Sequence, residues 1–126
     1  MTRIFFALGS IFGGLAVGLG AFGAHGLANI LTPERLITYE TAVRYQMYHA
    51  IALLVVALAL AHWPAAVKPL QTGGWFFVAG IILFSGSLYL LSVAGIRWLG
   101  VITPLGGVAF VAGWLFLVMA GWRGLK

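Results

Sequence analysis

TAVRYQMYHAIALLVVALALAH, residues 41–62, decides the fold of this 126-residue chain. It is mostly apolar over a length that crosses the bilayer, since a hydrocarbon core about 30 Å thick needs roughly 20 residues of helix. Just before it, Thr32-Pro33-Glu34 reads as a helix start. Threonine can cap, proline suits the first helical turn and glutamate faces the positive end of the dipole. Residues 33–40 are therefore the amphipathic start of the same helix, and Trp63-Pro64 stops it at an interface.

Three more apolar stretches flank this one, at about residues 4–27, 74–93 and 104–122, the last opened by Thr103-Pro104 with the same capping logic. With 63% hydrophobic and 7% charged residues and a mean hydropathy of +1.09, the chain cannot cover itself with a water-facing surface. There is no internal repeat, low-complexity tract or linker long enough to divide domains. The expected fold is all-α, an up-down-up-down bundle of four transmembrane helices, with residues 1–126 as a single integral membrane domain. The N-terminal run behind Arg3, ending near Ala24, has the look of a cleavable signal peptide, but its glycine spacing suits a packed helix and it is read as the first span.

The net charge of +5 comes from Arg3, Arg35, Arg44, Lys68, Arg97, Arg123 and Lys126, scattered singly over span ends and loops. That pattern anchors a protein to the lipid bilayer and does not bind nucleic acid. Four spans put both termini on one side, with Arg3, Lys68, Arg123 and Lys126 against Arg35, Arg44 and Arg97, so the positive-inside rule favours cytoplasmic termini. The chain has no cysteine, which excludes disulfides, iron–sulfur clusters and thiolate metal sites.

Polar residues inside the spans are the candidate functional positions, because hydrocarbon offers them no hydrogen-bond partner. Alternating direction puts His25, Glu40, Arg44, Tyr45, Tyr48, His49, Ser85, Tyr89, Arg97 and Thr103 in the half of the membrane away from the termini. On the second helix Thr41, Arg44, Tyr45, Tyr48 and His49 share a broad arc, and Glu40 is spaced to pair with Arg44. On the third, Ser85, Tyr89 and Ser92 share a face. The cluster reads either as polar glue between helices or as a half-membrane cavity for an amphipathic lipid or quinone-like molecule, its head group near Arg44, Arg97 and the fourth helix N-terminus. His25 and His49 as haem or metal ligands lack a third partner, so no metal or cofactor is expected beyond such a lipid or quinone. A proton relay through Glu40, His49 and Tyr45 is conceivable, but the chain has only two carboxylates. No nucleophile elbow, phosphate loop, catalytic carboxylate pair or zinc-protease motif is present, and the chain reads as non-enzymatic.

Glycines supply the other pattern. In the first span Gly9, Gly13, Gly20 and Gly23 share one face, and Gly14 and Gly18 lie on another with His25, which predicts two close helix neighbours. Gly106 and Gly107 give the fourth helix a start that can be approached closely.

Five stretches, Gly20-Ala-Phe-Gly-Ala-His-Gly26, Tyr45-Gln-Met-Tyr-His-Ala50, Phe84-Ser-Gly-Ser-Leu-Tyr89, Thr103-Pro-Leu-Gly-Gly107 and Gly113-Trp114, together resemble a small membrane family catalogued as a domain of unknown function, which includes transmembrane protein 256. The similarity runs from Gly13 to Trp114. It implies a four-helix membrane protein, in the inner membrane when bacterial, and brings no activity, substrate or cofactor. The combined expectation is an accessory or structural component packing into a homo-oligomer or larger membrane complex. The alternative is a small transporter or channel subunit with His25, Tyr45, His49, Ser85 and Tyr89 along its path.

Overall fold

The computed structural model describes residues 1–125; Lys126, one of the terminus-side charges, lies outside them. The described residues are helical, with no strand. The helices are α1 (Thr2–Phe22), α2 (Pro33–His62), α3 (Val67–Gly80), α4 (Gly86–Ala94) and α5 (Thr103–Gly124). Wide π-helical turns at Gly23–Leu27 and Ile81–Ser85 extend α1 and join α3 to α4, and tighter 3₁₀ turns at Pro64–Ala66 and Arg97–Val101 precede α3 and α5. The result is four helices long and apolar enough to cross a membrane: Thr2–Leu27, Pro33–His62, Pro64–Ala94 and Arg97–Gly124.

Two helix starts differ in their chemistry. Thr32 caps α2 as its sequence predicts, its hydroxyl accepting from the Arg35 N–H at 3.3 Å. Thr103 makes no such cap: the 3₁₀ turn has already made the backbone helical at Ile102, so Thr103 is inside the helix and its hydroxyl points back to the Leu99 carbonyl at 3.3 Å. The third span starts at Pro64, ten residues before the expected 74, because Pro64 and Pro69 occupy its first turns, where a missing N–H breaks no helical bond. Gly95 ends α4 with φ +69°, a left-handed conformation open to glycine at little cost, and the Arg35 guanidinium lies over it.

The second and third spans form the interior, while the first and fourth lie outside them. The core is Phe5, Leu53, Val56, Leu70, Phe77 and Phe110 with the small residues around them. Glycine sets the closest crossings. A Cβ on Gly73 or Gly113 would meet the other's carbonyl oxygen at 3.1 and 3.2 Å, and a Cβ on Gly106 would collide with the Phe84 backbone, so α5 lies directly against the third span. Gly9 crosses α2 at the Ala50 carbonyl, Gly23 makes room for the Tyr39 ring, and Gly74 receives the Phe5 ring. In lipid, where tails are as apolar as leucine, such close packing replaces the missing hydrophobic drive.

The two faces of α1 fare differently. Gly9, Gly13, Gly20 and Gly23 meet Ala50, Val43 or Tyr39 of α2. Gly14 and Gly18 are exposed, with no atom within 4 Å of where a Cβ would stand. Among the described residues α1 lies along α2 and meets the third span only where Phe5 packs on Gly74 and Trp75, so the face that carries Gly14 and Gly18 lacks the second close neighbour expected for it. Gly107 at the other end touches only the edge of Phe84, at 3.9 Å.

Gly106→Ala should therefore cost about 1–3 kcal/mol through overpacking, whereas Gly18→Ala should change stability by less than about 0.5 kcal/mol. Unfolding of both variants in mild detergent measures the difference, and equal losses would contradict the crossing geometry.

Candidate functional site: a polar layer between the spans

Most of the hydrogen bonds between spans meet at the buried face of α2, which presents Tyr39, Ala42, Gln46, His49, Ala50 and Leu53. Alanines here let the neighbouring helices come within reach of backbone carbonyls. The hydroxyl of Ser85, at the end of the Ile81–Ser85 π turn, donates to the Ala42 carbonyl at 2.8 Å. Tyr39 donates to the Leu19 carbonyl of α1 at 2.6 Å and packs edge-on against Tyr89.

Gln46 ties three spans together. Its amide nitrogen donates to the Phe12 carbonyl in α1 at 2.8 Å, and its amide oxygen accepts from the Tyr89 hydroxyl in α4 at 2.7 Å. It is 3% exposed and did not stand out in the sequence, where attention falls on the tyrosines and histidine beside it. The available signal was its place on one helical face with Ala42, Ala50 and Leu53, a small and apolar stripe that marks the packed side.

His49, 4% exposed, joins α2 to α5. Its Nδ1 lies 2.7 Å from the Tyr45 carbonyl, which can only accept, and its Nε2 accepts from the Trp114 indole N–H at 3.1 Å. These partners define a neutral imidazole with the proton on Nδ1. The ring stacks on Phe110 at 3.5 Å with 9° between planes. Trp114 is the twelfth of the 22 residues of α5, so this bond lies near mid-membrane, about 17 Å from the helix start. Both ring nitrogens are engaged, which leaves His49 no lone pair for haem or metal. Among the described residues no three His, Asp or Glu side chains come together as a metal site.

Nearer the end of the bundle, the Ser87 and Thr103 hydroxyls meet at 2.7 Å, linking α4 to α5. Ser87 also reaches the Phe84 carbonyl at 2.9 Å and Ser92 the Tyr89 carbonyl at 3.0 Å. Every buried side-chain nitrogen and oxygen among the described residues has a partner.

The structure brings Tyr89, Ser85, His49 and Thr103 into this layer and leaves the other sequence candidates outside it. Arg44 and Glu40 pair at 3.6 Å on the exposed side of α2. Tyr45 and Tyr48 are also on that side, and Tyr45 packs on Phe84 at 4.7 Å. His25 is exposed on the Gly23–Leu27 turn and Arg97 on the 3₁₀ turn. Of the arc Thr41, Arg44, Tyr45, Tyr48 and His49, the middle three face outward, Thr41 is half-buried and His49 turns inward, because the neighbouring alanine face gives the tighter helix contact.

Gln46→Leu strips the Tyr89 hydroxyl of its acceptor, and a double-mutant cycle with Tyr89→Phe should return a coupling of about 1 kcal/mol. His49→Leu leaves the Trp114 N–H unpaired and should lower stability by about 1–3 kcal/mol. Detergent unfolding followed by circular dichroism checks both; additive effects for the first pair, or no loss for the second, would contradict the bonds described.

Comparison with known proteins agrees with the architecture. A family described as "Protein of unknown function (DUF423)" matches residues 19–107. The UPF0382 membrane protein YwdK of Bacillus subtilis is 52% identical over 118 residues, covering 94% of this chain and 95% of YwdK. The UPF0382 membrane protein SAB0533 of Staphylococcus aureus is 44% identical over 121 residues, 96% of this chain and 97% of the relative, and a Staphylococcus epidermidis member is 46% identical over 118 residues, 94% of each. No solved structure matches. This chain belongs to the DUF423 family, the UPF0382 membrane proteins, whose function is unknown.

Proposed function

We propose that this protein is a non-enzymatic accessory component of the bacterial inner membrane, a rigid four-span bundle that packs against a second copy of itself or a larger membrane complex. The observation that carries this reading is the closed hydrogen-bond inventory: every buried side-chain polar atom among the described residues is satisfied within the chain. A catalytic or transport site needs polar groups left free for a substrate. Here Ser85, Tyr89, Gln46 and His49 spend their bonds on other spans.

The transporter reading requires His25, Tyr45, His49, Ser85 and Tyr89 along one route. Ser85 and Tyr89 bond inward to α2, Tyr45 faces outward, and His25 is exposed at the end of its span. These directions favour the accessory role. The polar layer also has no unspent group for a lipid or quinone-like guest, so such a molecule belongs on the outside of the bundle. The exposed Gly14 and Gly18 supply a smooth strip for a partner helix, as small residues do at close contacts in lipid. Arg3, Lys68, Arg123 and Lys126 favour termini on the cytoplasmic side.

Native mass spectrometry from nanodiscs tests the packing role, together with affinity purification from the protein's own membranes. The expected result is a discrete homo-oligomer or a stoichiometric membrane partner, lost in Gly18→Leu while the melting of the bundle stays unchanged. A wild-type chain that stays monomeric and brings down no membrane protein would overturn the proposal.

A further inference from the structure

α2 and α5 share no continuous seam; His49 reaches Phe110 and Trp114 across the interval between them. Beside this bridge lies a cleft of about 370 Å³ lined by Tyr45, Tyr48, His49, Gly107, Phe110 and Trp114, and it contains no charged side chain. Its volume is within the range of about 300–1,000 Å³ typical of small-molecule sites.

We infer that this cleft binds the head of a lipid-soluble, uncharged planar ring bearing carbonyl acceptors, a molecule of the quinone class with its hydrocarbon tail in the bilayer. The inference goes beyond the accessory role and holds whether the bundle is single or assembled.

Three features of the cleft select that chemistry. Its walls are aromatic, and His49 and Phe110 already lie parallel, 9° apart, so a flat ring placed alongside meets ring faces and edges of the kind aromatic groups pack against. Its free hydrogen-bonding capacity is phenolic. The imidazole and indole satisfy each other, and the hydroxyls of Tyr39 and Tyr89 are bonded elsewhere, but those of Tyr45 and Tyr48 have no partner among the described residues. In a lipid-facing position such a hydroxyl gains from an acceptor brought by a guest, because the hydrocarbon supplies none. Side chains on a helix lean toward its N-terminus, so both rings lean toward the start of α2, and a ring carbonyl in the cleft can accept from their hydroxyls.

Charge completes the selection. The nearest cation on α2, Arg44, is paired with Glu40 at 3.6 Å, so the neighbourhood has no unopposed charge for a phosphate. On the open side Val108, Val111 and Leu115 of α5 are exposed and give a hydrocarbon tail an apolar track.

Gly107 makes the inference testable without disturbing the fold. A Cβ there meets only Phe84 Cδ2, at 3.9 Å, an ordinary contact, so Gly107→Leu can extend into the cleft and occupy it. The experiment titrates wild-type protein in nanodiscs with a naphthoquinone bearing a short isoprenoid tail and reads quenching of tryptophan fluorescence, with thermal melts of each variant as the folding control. Saturable binding is expected, weakened about tenfold in the Tyr45→Phe/Tyr48→Phe double variant and abolished in Gly107→Leu, with no competition from anionic phosphatidylglycerol. If Gly107→Leu melts early, Val111→Trp serves as the second cleft-filling variant, with the same loss expected. Quenching that rises without saturation as quinone partitions into the membrane would overturn the inference. So would equal binding by the cleft-filled variants, or displacement by phosphatidylglycerol, which would make the cleft a groove for phospholipid.

Discussion

A hydrogen bond between two spans has no water to replace it, and Gln46 makes two. Its amide holds α1 through the Phe12 carbonyl and α4 through the Tyr89 hydroxyl, which sets the rotation of three helices about their axes at once. A helix held only by leucine and valine against lipid could rotate with little penalty, since the tails are as apolar as the core. Rotating α2 would turn Gln46 into hydrocarbon with four unsatisfied hydrogen-bonding positions. The remaining inter-span bonds, Tyr39 to Leu19, Ser85 to Ala42, Ser87 to Thr103 and Trp114 to His49, follow from that setting and reinforce it.

Glycine and alanine make these bonds possible by their lack of bulk. Ser85 reaches a backbone carbonyl because Ala42 carries no side chain large enough to block it, and the Tyr39 ring fits because Gly23 leaves its space open. Close approach and polar contact are therefore one device: small residues bring helices near, and the hydroxyl or amide then specifies which rotation and register that proximity has. The wide turn at Ile81–Ser85 aims Ser85 inward, which fits the recurrent use of such turns at positions where a side chain must be redirected.

The architecture was legible in the sequence because its cause is composition. Uninterrupted apolar stretches of about 20 residues admit few folds, and the Thr32-Pro33 start carries its own chemistry. Polar residues were legible by type, since a serine or histidine at membrane depth needs a partner. Their directions were less so. On a helical wheel Arg44, Tyr45, Tyr48 and His49 share one arc, yet of these only His49 turns into the packed face, which Ala42, Gln46 and Ala50 mark. Gly14 and Gly18 show the same difficulty: spacing reveals a smooth face but not whether the neighbour is in the same chain. Thr103 repeats the sequence of Thr32 and not its role, because a cap depends on the backbone before it, which local residue identity does not determine.

The central claim is that the polar layer is closed, each group spending its capacity within the bundle. His49 reports on it most directly, as a midmembrane imidazole whose two nitrogens face an acceptor and a donor. Nitrogen-15 NMR of histidine-labelled protein in lipid at neutral pH distinguishes the states of that ring. The account predicts a neutral His49 protonated on Nδ1, its Nε2 hydrogen-bonded to the Trp114 N–H. A ring protonated on Nε2, or on both nitrogens, would contradict it and mean that the layer holds a group open to something outside the chain.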